Sequence, residues 1–246
     1  MFTAKSISFV VFLILFPVLT WAQQDEVTDL MQLAAEEQAT GSSAGKVLAR
    51  WLQAYDVAQE NAQHPQLLAI GIAIGNIYHQ EQLHQKALPY YLKAISSLDE
   101  GSIFSDQTED LYRKTAHTYS QLSKPDSAYY YYDFILNHKK NTKNINGQIN
   151  TLQEMAEAFT LNEQYKNALK CNLSIQELLE ARQRPGQELQ VIYNNLGNNY
   201  NSLNQYEASI SAFEKAMNLL AKDDFSTASI LATNIGIAYY NLGKFE

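Results

Sequence analysis

The 246-residue chain is 46% hydrophobic, 11% aromatic and 18% charged, a balance that can bury a core and excludes a disordered polypeptide. Its 18 Lys and Arg against 26 Asp and Glu leave a formal net charge of -8. That charge argues against a phosphate-backbone binder, so no nucleic-acid partner is expected. A single cysteine, Cys171, excludes an internal disulfide and a cysteine-based zinc cluster.

Residues 1–22 read as a secretory signal peptide: Lys5, an apolar stretch from Ile7 to Leu19, then Thr20, Trp21 and Ala22 before Gln23. The apolar run is shorter than the roughly 20 residues that a spanning helix needs, so cleavage after Ala22 is predicted, with an uncleaved anchor as the alternative. No cysteine follows the cut, which argues against a lipoprotein signal. Without Lys5 the mature chain keeps 17 basic and 26 acidic residues, a net charge of -9, and is expected to be exported, periplasmic or extracellular.

The body repeats. A small residue three before an aromatic recurs as Gly75 with Tyr78, Ala116 with Tyr119, Ala156 with Phe159, Gly197 with Tyr200 and Gly236 with Tyr239. The aromatics are separated by 41, 40, 41 and 39 residues. Nine residues beyond the first four stand Ala87, Ala128, Ala168 and Ser209; four further on, Tyr91, Tyr132, Asn172 and Phe213; three beyond those, Ala94, Ile135, Ile175 and Ala216. On a helix, small-x-x-aromatic places a gap and a ring one turn apart on one face, so a neighbouring helix can approach closely. The second set forms the matching face of a following helix. Gly75, Tyr78, Ala87, Tyr119, Ala128, Phe159, Ala168, Gly197, Tyr200, Gly236 and Tyr239 are therefore the predicted packing positions. Each unit is an antiparallel helix pair that cannot bury both faces alone and stacks on its neighbours.

This pattern resembles the tetratricopeptide repeat. Gly197, Tyr200, Tyr206, Phe213 and Ala216 match it best, and Gly75, Tyr78, Ala87, Tyr91 and Ala94 nearly as well. The resemblance implies an all-α, helical-repeat solenoid, a right-handed superhelix of antiparallel helix pairs with a period of about 40 in place of the family's roughly 34. Repeats are expected near 68–101, 109–142, 149–182 and 190–223, with 229–246 incomplete, in an array over 67–246. An atypical first repeat over 23–66 acts as an N-terminal cap, with Ala35, Trp51 and Ala54 in register. Loops over 100–106 and 138–148 are expected to absorb part of the longer period. The face of Ile235, Ala238 and Tyr239 is left without its own partner helix, so a fragment or a truncated gene product is expected.

Little in the chain points to catalysis. His64, His79, His84, His117 and His138 give no i,i+4 pair and no metalloprotease helix. Cys171 reads as an inert thiol, and Glu36-Glu37 and Asp223-Asp224 as solvated surface or turn. Gly71 and Gly75 read as repeat packing rather than a membrane motif. No phosphate loop or nucleophile triad is present, so no enzyme activity, no cofactor and no metal are expected. The string Tyr129 to Tyr132 puts Tyr132 in a packing slot and leaves the other three competing for burial; partial burial is favoured over an interface patch.

In the family resembled, first helices line a concave groove. Carried over by position, its slots hold Asn76, His79 and Gln80, then Arg113, His117 and Gln121. Gln153 and Glu157 follow, then Asn194, Asn195, Asn198 and Asn201, and last Thr233, Tyr240 and Asn241. Asn194, Asn198 and Asn201 share one helical face and can pair with an extended backbone. The lysine that some family members use to clamp a C-terminal carboxylate is replaced by Ile72 and Asn194. The expected function is a non-catalytic, exported scaffold that binds a protein or peptide in this groove. The alternative is the N-terminal sensory segment of a longer membrane-anchored bacterial signalling protein, of histidine-kinase or transcription-regulator type, whose C-terminal part is missing. A membrane then enters only through an uncleaved signal or that missing part.

Overall fold

The computed structural model describes residues 26–98, 104–182 and 186–243. The signal peptide lies outside the described residues, as does most of the loop expected over 100–106. The described residues form eleven helices and no strand. They are α1 (26–39), α2 (Ala44–Glu60), α3 (His64–Gln80), α4 (His84–Ser96), α5 (Asp106–Gln121), α6 (Pro125–Asn141), α7 (Ile145–Leu161), α8 (Tyr165–Glu180), α9 (Gly186–Ser202), α10 (Tyr206–Asn218) and α11 (Phe225–Asn241). The fold is an all-α helical-repeat solenoid. The chain divides into two compact units, Met1–Thr118 and Tyr119–Glu246.

The period of 40 is built into the turns. Positive φ falls on Ala62, Gln82, Ser123, Lys143, Glu163 and Asn204, and on Gly41, Gly186 and Gly243, and apart from Gly186 these left-handed residues recur at intervals of about twenty or forty positions. Each of the six non-glycine residues is followed by one whose N–H reaches back five residues to close a Schellman turn. Leu83 donates to the Tyr78 carbonyl at 2.8 Å, Lys124 to Tyr119 at 2.9 Å, Gln164 to Phe159 at 2.8 Å and Gln205 to Tyr200 at 2.9 Å. That same residue is the N-cap of the next helix, so three residues stop one helix and start another. A 17-residue helix such as α6 or α7 plus one such turn makes half a period. Residues 138–148, expected as a loop, are accordingly helical except for the turn at 142–144. Here the excess length went into the helices, whereas α4 and α10 are only 13 residues long and are followed by longer connections.

In the first unit, Leu67, Ile70, Ile74 and Ile77 follow the helical spacing along one side of α3 and pack with Trp51, Ala54 and Ala58 of α2. The other side of α3 meets α4. A Cβ on Gly75 would lie 2.4 Å from Cε1 of Tyr91, and one on Gly71 would lie 2.8 Å from the Tyr90 carbonyl. Tyr91 is fully buried and its hydroxyl donates to Asn76 Oδ1 at 3.0 Å. In the second unit a Cβ on Gly197 would lie 2.5 Å from Phe213, and the Ser209 hydroxyl donates to the Gly197 carbonyl at 2.8 Å. The ring that fills each glycine gap thus comes from the following helix, sixteen residues on. Tyr78 and Tyr200, assigned that task from the sequence, stay half-buried. Tyr78 stacks on Tyr90 at 5.8 Å, and Tyr119 on Tyr131 at 5.6 Å.

Two further expectations need correction, and two other positions take a definite form. Gly236 meets nothing within 4 Å, so it fills no close helix approach among the described residues, and Tyr239 is 40% exposed where a packed ring was expected. Glu37 is buried instead of solvated; Lys46 and Arg50 of α2 reach it at 3.1 and 3.6 Å, supplying the counter-charge a buried carboxylate requires. Asn172, off pattern in an aromatic slot, is buried and donates to Asn199 at 2.7 Å, an amide pair in place of a ring. The tyrosine string divides: Tyr132 is buried, Tyr131 half-buried, and Tyr129 and Tyr130 exposed.

Candidate binding face on the first helices

The first helices of successive units are tied at their C-terminal ends by side chains about one period apart. His79 Nδ1 lies 3.3 Å from Thr118 Oγ1 in the first unit. In the second, Asn162 Nδ2 reaches the Ser120 carbonyl at 3.2 Å and Asn241 Nδ2 reaches Asn201 Oδ1 at 3.4 Å. The sequence carries this ladder as polar pairs spaced by roughly 40, a signal obscured because the residue types differ at each rung.

Three histidines gather at the first rung. The His79 ring centroid is 5.0 Å from that of His117 and 5.2 Å from that of His84, and His84 and His117 are 6.1 Å apart. Spacings of 5 and 38 residues hid this cluster; the α3–α4 turn folds His84 back, and α5 brings His117 alongside. Thr118 spends its hydroxyl proton on the Lys114 carbonyl at 2.7 Å, so His79 must be the donor in the shared contact. That fixes the proton on Nδ1 and leaves Nε2 as an acceptor. Burial first, then the neighbouring His117, His84 and Lys114, push the His79 pKa down to about 4 against the opposing pull of Asp110. The ring is neutral at physiological pH. His84 Nδ1 is buried without a hydrogen-bond partner. Among the described residues, no three His, Cys, Asp or Glu side chains are arranged to hold a metal ion.

The other expected groove residues divide by what they already hold. Asn76 is engaged by Tyr91, and Arg113 donates to Glu109 at 2.9 Å on its own helix. Gln153 is half-buried on α7. On α9, Asn198 is exposed, Asn201 is half-buried, and Asn194 is half-buried with its Oδ1 inaccessible and unpartnered. The row offers amide donors and acceptors but no base, nucleophile or oxyanion donor set; its chemistry is hydrogen bonding. Cys171 is buried, and burial pushes its thiol up to about 11, so no reactive thiolate is held there.

Residues 72–97 and 191–220 match the tetratricopeptide-repeat family model, the two units whose glycine gaps are filled by Tyr91 and Phe213. The fold is similar to that of a putative kinesin light chain from Podosopora anserina with nearly identical TPR-like repeats (14% identity, 81% of this chain and 97% of that one, TM-score 0.61). It is also similar to YrrB, a TPR protein with an unusual peptide-binding site (14% identity, 83% and 90% of the chains, TM-score 0.56). The apo form of the quorum sensor NprR from B. thuringiensis is a third (16% identity, 94% and 62%, TM-score 0.51). No curated protein matches the sequence. The chain therefore contains tetratricopeptide repeats in an all-α helical-repeat fold.

Proposed function

We propose that the protein is an exported tetratricopeptide-repeat scaffold that binds an extended protein or peptide segment along its first helices and catalyses nothing. The observation that carries this reading is the amide row of α9: a half-buried Asn194, an exposed Asn198, and Asn201 joined to Asn241 one unit on. The exposed Asn198 amide can pair with the N–H and C=O of an extended backbone. The peptide-binding site of YrrB on a similar fold supports the same class of ligand. A random peptide library displayed on phage and panned on the native protein tests it. Enriched peptides should bind at least about tenfold more weakly to an Asn194→Ala/Asn198→Ala variant of unchanged helicity, equivalent to about 1.4 kcal/mol. Equal affinity would remove α9 from the site. Export rests on residues 1–22; their fusion to alkaline phosphatase lacking its own leader should give periplasmic activity, and a silent fusion would refute it.

The alternative, a sensory segment of a larger membrane-anchored signalling protein, draws on the exposed apolar side chains of α11: Ile230, Ile237 and Tyr240 at 55, 46 and 67% exposure. An immunoblot of the native product decides between the two by its size and its partition into the membrane fraction. No helix among the described residues is long and apolar enough to cross a membrane.

A further inference from the structure

We propose that the cavity between α6, α7 and α8 is a pocket for one aromatic side chain of a bound peptide. Its volume is about 380 Å³, within the roughly 300–1,000 Å³ usual for ligand sites, and it lies wholly inside the second unit. Leu152, Met155 and Phe159 from α7 and Cys171 from α8 form the floor, each below 9% exposure. Tyr129 of α6 forms a wall, its ring 6.0 Å from that of Phe159. Its hydroxyl is engaged by Asp133 one helical turn on.

The lining selects its occupant by chemistry. Two sulfur atoms and two rings favour an aromatic ring, since thioether and thiol contacts to ring edges add to the area buried. Burial holds the Cys171 thiol protonated, so the floor carries no charge. An ion placed against Leu152, Met155 and Phe159 would lose its hydration without a counter-charge. Exposed Asp126 and Lys170 border the cavity; their opposite signs cancel for an ion but complement the C=O and N–H dipoles of a peptide group. A neutral ring with flanking amides is therefore the fit. No residue of α9 lines the cavity, so the pocket is separate from the amide row and does not depend on it.

The chain has four methionines, of which Met155 lines the cavity while Met31 and Met217 lie elsewhere. Carbon-13 labelling of the methionine methyls of the full chain therefore gives one reporter and internal controls. Titration with N-acetyl-L-tryptophanamide should move the Met155 methyl resonance alone, saturating in the millimolar range expected of one side chain, about 4 kcal/mol. Tyr129→Ala, at an exposed position, should weaken the effect about fivefold or more, and Asn194→Ala/Asn198→Ala should leave it unchanged. A stationary Met155 resonance, or parallel movement of Met31 and Met217, would overturn the pocket. An equal response to N-acetyl-L-leucinamide would overturn its aromatic preference.

Discussion

The space where Gly75 lacks a side chain is occupied by the ring of Tyr91, whose Cε1 would lie 2.4 Å from an added Cβ. Gly197 and Phe213 repeat the relationship, whereas Gly236 faces open space. Alanine substitution should therefore change stability with opposite signs in one protein. Gly75→Ala and Gly197→Ala force a packed ring aside and should cost about 1–3 kcal/mol. Gly236→Ala meets no neighbour and should gain up to about 1 kcal/mol from helix propensity. Urea melts of the three variants check this; a common sign would disprove the pairing.

The rings differ in the same way. Tyr91→Ala should cost about 3–5 kcal/mol, the value for an emptied aromatic site, because Tyr91 is fully buried. Half-buried Tyr78 should lose clearly less when truncated. Tyr91→Phe should cost about 1 kcal/mol for the hydrogen bond to Asn76. The ranking Tyr91, then Tyr78, read from melt midpoints at constant slope, is the expected result.

His79 predicts acid sensitivity. Its folded-state pKa is depressed to about 4, below the roughly 6.5 of an unfolded histidine. As pH falls through 6.5 the unfolded chain takes up a proton that the folded chain refuses, so stability is full above that pH and declines towards 4. His79→Gln should flatten this part of the profile. Thermal melts at pH 7.5, 6 and 5 should show the wild type losing ground to the variant; parallel curves would remove His79 as the cause.

Lys143 and Glu163 hold φ of 54° and 57°, a region that costs a residue bearing a Cβ roughly 1–2 kcal/mol. Glycine relieves that cost but raises the entropy of the unfolded chain by about 0.4–1 kcal/mol. Lys143→Gly and Glu163→Gly should therefore each stabilise by about 0.5–1 kcal/mol, and Lys143→Val should destabilise. Chemical denaturation of the single variants measures this directly.

The repeat was legible because its spacing survives where residue types drift: Gly75, Ala116, Ala156 and Gly197 hold the same slot. The ring partner of each glycine was not, because two aromatics lie within helical reach and only the packing of α4 and α10 separates them. The turns at Asn204 and Gly243 are legible as short polar breaks, whereas Gln82, Ser123, Lys143 and Glu163 carry none of the glycine signal that marks a left-handed residue. The histidine cluster and the cavity are tertiary in origin. Each assembles side chains from three helices, and no local spacing encodes such a meeting.

Ser123 and Glu163 are forty residues apart, share one backbone conformation and each precede an N-cap, Lys124 and Gln164. Excision of residues 124–163 would join Ser123 to Gln164 and leave a first helix feeding a second helix through a turn of unchanged geometry. The chain thus carries ready-made splice points. A gene of this kind can shed or duplicate a forty-residue cassette in frame without inventing a new connection, so the number of units is free to vary independently of the rules that fold each one.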